Sequence, residues 1–138
     1  MQVVIDTNVF ISALMKDTSN PAKIVQHVFS RDLLLAMSEH QLGEIKRSFG
    51  YTHKFNKSLT NTVIEDYLLS IVSFGRIFAI DDVKIPVECR DKADNYLLAT
   101  LIVSKSAYLI TGDKDLLCLQ HEYKNIITPA EFVNRHII

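Results

Sequence analysis

Five carboxylates in this sequence stand where a fold could turn them toward one ligand. Asp6 directly follows the apolar run Gln2–Ile5, and Asp113 follows another in Leu109-Ile110-Thr111-Gly112-Asp113. Asp91 and Asp94 are three residues apart, so a helical start would put both on one face. Glu44 falls inside a segment with helical spacing. Two unit charges about 5 Å apart repel by roughly 3 kcal/mol at an effective dielectric near 20. Four carboxylates gathered together therefore call for a counter-ion, and a hard divalent cation with oxygen ligands, Mg²⁺ or Mn²⁺, suits them better than zinc. Such an ion keeps several waters and completes its shell with substrate phosphate. The chemistry these residues imply is metal-dependent hydrolysis of a phosphodiester. The plainer use of Asp6, Asp91, Asp94 and Asp113 is as helix caps, each contributing about 0.3–1 kcal/mol. Against that use stands the placement of Asp6 and Asp113 after apolar strands, beside small polar residues.

Those acids need a scaffold that aligns strand ends. Short apolar runs at Gln2–Ile5, Leu33–Ala36, Arg76–Ile80, Tyr108–Ile110 and Asn125–Ile127 read as strands buried on both faces. Between them, Asn20-Pro21 opens a helix toward Ser30, with the asparagine as cap and the proline at the first helical position. Ser38 with Gln41 forms a capping-box pattern for a helix through about Arg47. A helix from Thr60 or Asn61 to Ser73 carries Val63, Ile64, Tyr67, Leu68 and Ile71 at amphipathic spacing. Asp94 to Ser104 repeats the pattern, and Thr128-Pro129 starts a last short helix. Asp81–Arg90, which holds Pro86, reads as a loop. Strand alternating with helix, without hairpin signals, predicts a three-layer α/β fold, doubly wound around a parallel five-stranded sheet. Ligands of such sheets sit beyond the strand carboxyl ends, where strand order reverses. If the first and fourth strands flank that point, the acids converge.

Composition narrows the function classes. The chain has 138 residues, 48% hydrophobic and 22% charged, which predicts one domain spanning 1–138 and argues against disorder. No apolar run has membrane-spanning length, and the N-terminal segment has no signal-peptide pattern. Cys89 and Cys118 lack a Cys-x-x-Cys spacing, so a reducing cytoplasm is the expected location. None of the four glycines builds a dinucleotide fingerprint or a P-loop. A net charge of −1 means that a nucleic acid would be held by a local basic patch.

One stretch offers such a patch. Between Ile45 and Ile64 there is no acid, while Lys46, Arg47, Lys54 and Lys57 interleave with Phe49, Tyr51 and Phe55. This composition suits single-stranded RNA, by phosphate contact and base stacking, and equally suits a solvated helix and loop with inward aromatics. Thr7, Asn8 and Thr111 are placed to orient carboxylates or a phosphate, with Ser12 nearby; Thr7 and Asn8 could instead cap the next helix turn. His40 and Glu44, four apart on one helix face, suit a simple side-chain contact. Gly43 either permits close backbone approach near Glu44 or is a tolerated irregularity. The apolar helix Val63–Val72 belongs to the core, with any excess apolar surface open to a protein partner.

The sequence resembles a PIN-domain ribonuclease of the bacterial kind found as toxin in type II toxin–antitoxin pairs. The resemblance rests on Val4-Ile5-Asp6-Thr7-Asn8-Val9, Cys89-Arg90-Asp91-Lys92-Ala93-Asp94-Asn95, Thr111-Gly112-Asp113-Lys114-Asp115-Leu116-Leu117 and Thr128-Pro129-Ala130-Glu131-Phe132. It implies a Rossmann-like sheet, one or two Mg²⁺ or Mn²⁺ ions, and endonucleolytic RNA cleavage leaving a 5′-phosphate. By position it makes Asp6, Glu44, Asp94 and Asp113 the metal-holding acids, with Asp91 and Asp115 accessory. A proline commonly follows the aspartate matching Asp91, whereas Lys92 stands here. The resemblance also implies a cognate antitoxin protein and a homodimer as partners. Two alternatives are a catalytically silent PIN-fold RNA-binding module and a receiver-like phospho-acceptor domain. The receiver expects a lysine after the last strand, where this chain has Thr128-Pro129.

Overall fold

Val3, Val4 and Ile5 have no exposed surface, and the same holds for Leu35, Ala36, Met37, Leu109 and Ile110. Neighbouring residues of a strand point to opposite faces, so such runs require a sheet covered on both sides. That is the arrangement in the computed structural model, which describes residues 1–55 and 58–137, without the side chains of 52–55. The strands are β1 (Gln2–Ile5), β2 (Leu34–Met37), β3 (Gly75–Ile77), β4 (Tyr108–Ile110) and β5 (Ile126–Ile127). All pairs are parallel, in the order β3-β2-β1-β4-β5. The order reverses at β1, whose neighbours are β2 and β4.

Seven helices occur among the described residues: α1 (Thr7–Met15), α2 (Asn20–Phe29), α3 (Glu39–Phe55), α4 (Asn61–Phe74), α5 (Asn95–Ser104), α6 (Lys114–Leu117) and α7 (Pro129–His136). Val3 and Ile5 pack with Phe10, Ile24, Phe49, Ile71 and Phe132 from α1, α2, α3, α4 and α7. On the other face Val4, Ala36 and Leu109 meet Leu97, Leu98 and Leu101 of α5 and Leu116 of α6. Each fully buried large side chain stabilises the fold by about 1.5–3 kcal/mol. The result is the expected three-layer α/β/α architecture. No helix among the described residues is long and apolar enough to cross a membrane.

Several boundaries differ from the sequence reading. Ser19, not Asn20, caps α2, its hydroxyl accepting the Ala22 amide at 3.2 Å. The third strand ends at Ile77, and residues 78–80 belong to the loop that follows. A short 3-10 turn at Lys92–Asp94 precedes α5. The helix of Glu44 runs to Phe55, well past Arg47, and a Cβ on Gly43 would meet nothing within 4 Å. That glycine is a tolerated irregularity and not a device for close approach. The capping box is half made. Ser38 accepts the Gln41 amide at 3.2 Å, but the Gln41 side chain leaves the helix end and donates to the Ile5 carbonyl at 2.5 Å.

Candidate active site

The site grows from the junction of β1 and β4. Ile5 is in register with Ile110, and the Asp6 amide donates to the Ile110 carbonyl at 3.0 Å. The chains then diverge, which leaves the Asp6 side chain and the residues after β4 on shared ground. Thr111, fully buried, donates its hydroxyl to Asp6 Oδ2 at 2.7 Å. The Thr111 hydroxyl oxygen in turn accepts the Asp113 amide at 3.0 Å. Asp94 enters from the start of α5, which packs across β1 and β4.

The carboxylates divide by how they are used. Asp91 accepts the Ala93 amide and Asp113 accepts the Asp115 amide, so both act as caps, the plainer reading of the two. Asp6 and Asp94 occupy cap positions yet make no side-chain cap hydrogen bond. Asp6 is 5% exposed, and burial pushes its carboxyl above the usual range. The Thr111 hydroxyl and the nearby Asn8 and Thr7 amides counter that shift, while the charge of Asp113 adds to it. Asp94 is pushed up to about 7 by burial, by a hydrogen bond to Asp113, and by the charges of Asp113, Asp6 and Asp91.

Glu44 is placed differently. It is ion-paired with Arg47 on its own helix and lies 3.9 Å from His40. Its link to the aspartates runs through Tyr96, whose phenol is pushed up by burial and by the charges of Asp6, Glu44 and Asp94. The Tyr96 hydroxyl lies 3.2 Å from Thr7 Oγ1, and its ring meets His40 at 4.5 Å. Tyr96 has no place in the sequence reading because an aromatic in the first turn of an apolar helix looks like core. Asp115 turns away from the cluster and forms a two-point pair with Arg90. Lys46 is exposed and Arg47 is engaged by Glu44, while Lys57 and the Lys54 side chain lie outside the described residues.

Beside the aspartates runs an open groove of about 710 Å³, bordered by Asn8, Ser12, Arg90, Asp113, Lys114 and Asp115. Its border mixes the cations Arg90 and Lys114 with acids and small polar groups.

Among the described residues, no three acids or histidines form a ready ligand cage. The donor chemistry nevertheless fits a hydrated hard cation. Carboxylate-held Mg²⁺ needs only one or two protein oxygens and keeps water in its other positions. Burial chiefly raises the Asp6 and Asp94 carboxyls and the neighbouring acids add to the shift, so a divalent charge would favour their ionised forms.

Comparison with known proteins agrees with this geometry. A protein-family model described as PIN domain matches residues 2–115. The uncharacterized protein MJ1680 of Methanocaldococcus jannaschii is 35% identical over 147 aligned positions, covering 96% of this chain and 90% of that protein. No solved structure matches the chain. The family match spans the ends of β1 and β4 that carry Asp6 and Asp113 and the start of α5 that carries Asp94, and it displaces the receiver reading. With a parallel sheet reversing at β1 and these aspartates at its carboxyl end, the chain belongs to the PIN-domain family and has a nuclease-type fold.

Proposed function

We propose that the protein is a Mg²⁺- or Mn²⁺-dependent endoribonuclease and the toxin of a type II toxin–antitoxin pair in the cytoplasm. The observation that carries the nuclease reading is the meeting of Asp6 and Asp113, from the ends of β1 and β4, with Asp94 from the start of α5, Asp113 bordering an open groove. Asp6, Asp94 and Asp113 would hold the ion, which when bound lowers the pKa of water and neutralises phosphate charge. Thr111 keeps the Asp6 carboxylate aimed and sets the Asp113 backbone by the same oxygen. A bound cation would favour the ionised form of Asp94, whose carboxyl is otherwise raised by burial and by neighbouring acids. Glu44, paired with Arg47 on α3, is the fourth acid of this reading.

The partner reading draws on a different surface. Leu69 and Val72 of α4 are 65% and 47% exposed. They border an apolar groove of about 500 Å³ between α3 and α4, also lined by Leu42, Ile45, Leu68 and Ile71. Apolar surface of this kind supports a protein partner, an antitoxin or a second copy of the chain.

The decisive experiment is cleavage of single-stranded RNA with Mn²⁺, compared with EDTA and with Asp6→Asn and Asp113→Asn. Loss of at least about 100-fold in both variants is expected, since each removes charge at the reacting centre. Equal cleavage by the variants would assign the activity to another site. RNA binding without cleavage would favour the silent module. Expression in a bacterial host should arrest growth, and Asp6→Asn should not.

A further inference from the structure

Arg90 stands at the candidate site with two of its five donors engaged. Its Nε donates to Asp115 Oδ1 at 3.0 Å and its Nη2 to Oδ2 at 3.2 Å. That pairing uses one edge of the guanidinium. The Nη1 donors and the second Nη2 hydrogen remain on the other edge, with no further partner among the described residues. The Arg90 side chain is 84% exposed and borders the groove together with Lys114.

The arginine is also fixed at both ends. The Cys89 amide donates to Asn95 Oδ1 at 2.8 Å, which pins the backbone beside it, and Cys89 itself is buried. Asp113 accepts the Asp115 amide at 2.9 Å, and Asp115 in turn holds the guanidinium. The position of the fork is therefore tied to an aspartate of the proposed centre. A planar fork with one edge free matches a phosphate's paired oxygens, which a point charge does not. Asp115 offsets the charge of Arg90, and Lys114 restores a positive border.

We propose that Arg90, oriented by Asp115 and joined by Lys114, forms a phosphate-binding subsite that holds the RNA backbone beside the phosphate being cut. This rests on the endoribonuclease reading. It makes Asp115 a positioning residue and not a metal ligand. An ordinary exposed ion pair is the alternative, and such pairs contribute little to stability.

The test compares two substrates in Mn²⁺: a single-stranded RNA oligonucleotide, and a dinucleoside monophosphate, whose only phosphate is the one cut. Arg90→Ala should lower kcat/KM on the oligonucleotide about tenfold, mainly through KM, and flatten its salt dependence by roughly one phosphate contact. The dinucleoside should be cleaved equally by both proteins. Asp115→Asn should follow Arg90→Ala in direction, and Arg90→Lys should recover only part of the loss. Equal losses on both substrates, or none on either, would overturn the subsite while leaving the nuclease intact. If the unsubstituted protein cuts neither substrate, the nuclease reading fails. Fluorescence anisotropy with the same oligonucleotide then decides the subsite: weaker binding by Arg90→Ala upholds it, and unchanged or absent binding ends it.

Discussion

Thr111 and Asp6 lie 105 residues apart in sequence and 2.7 Å apart in space, hydroxyl to carboxylate, both buried. The bond joins the segments after β1 and β4 and opposes the burial that pushes Asp6 upward. Removing a partner from a buried charged group costs about 1–3 kcal/mol. Thr111→Val should therefore destabilise the protein by about that amount, as read by urea denaturation at neutral pH. The loss should shrink in acid, where Asp6 is protonated and needs the hydroxyl less. Thr111→Ser, which keeps the donor, should stay within about 1 kcal/mol of the original.

The shift of Asp94 fixes the sign of a pH effect. Its carboxyl binds a proton more tightly folded than unfolded, up to about 7 against an ordinary 3.8. Its contribution to stability is fully present below pH 4 and is lost as pH rises through 7. In EDTA, the melting temperature's dependence on pH between 4 and 7 should contain this downward component. Asp94→Asn removes it, and the variant should melt above the original at pH 8. A difference between the two proteins that does not grow with pH across this window would show that Asp94 is not raised.

Divalent metal should act in the opposite sense at neutral pH. A cation bound only by the folded state raises the melting temperature by linkage. Millimolar Mn²⁺ or Mg²⁺ should stabilise the unsubstituted protein, and Asp94→Asn should blunt the response. Melting that ignores millimolar metal would exclude strong binding at the aspartates.

Much of the architecture is legible in the residues. The doubly apolar runs announce covered parallel strands, and their ends announce Asp6 and Asp113. What sequence pattern conceals is the longer-range use of side chains. Gln41 fits a capping box, yet its amide spans to Ile5 because that carbonyl is its buried partner. Glu44 pairs with Arg47 three residues on, the spacing at which helical ion pairs form, a contact that the reading of Glu44 with His40 left out. Arg90 lies inside a recognised motif, but its pairing with Asp115 depends on how the loop folds against α6.

The sheet order carries a consequence for biosynthesis. Asp6 lies near the N-terminus, while Asp94, Thr111 and Asp113 lie in the last third of the chain. A ribosome translating this message exposes the first aspartate early, but β4 must emerge and dock before any centre exists. Asp6 therefore cannot share a ligand with Asp94 and Asp113 until β4 has docked beside β1.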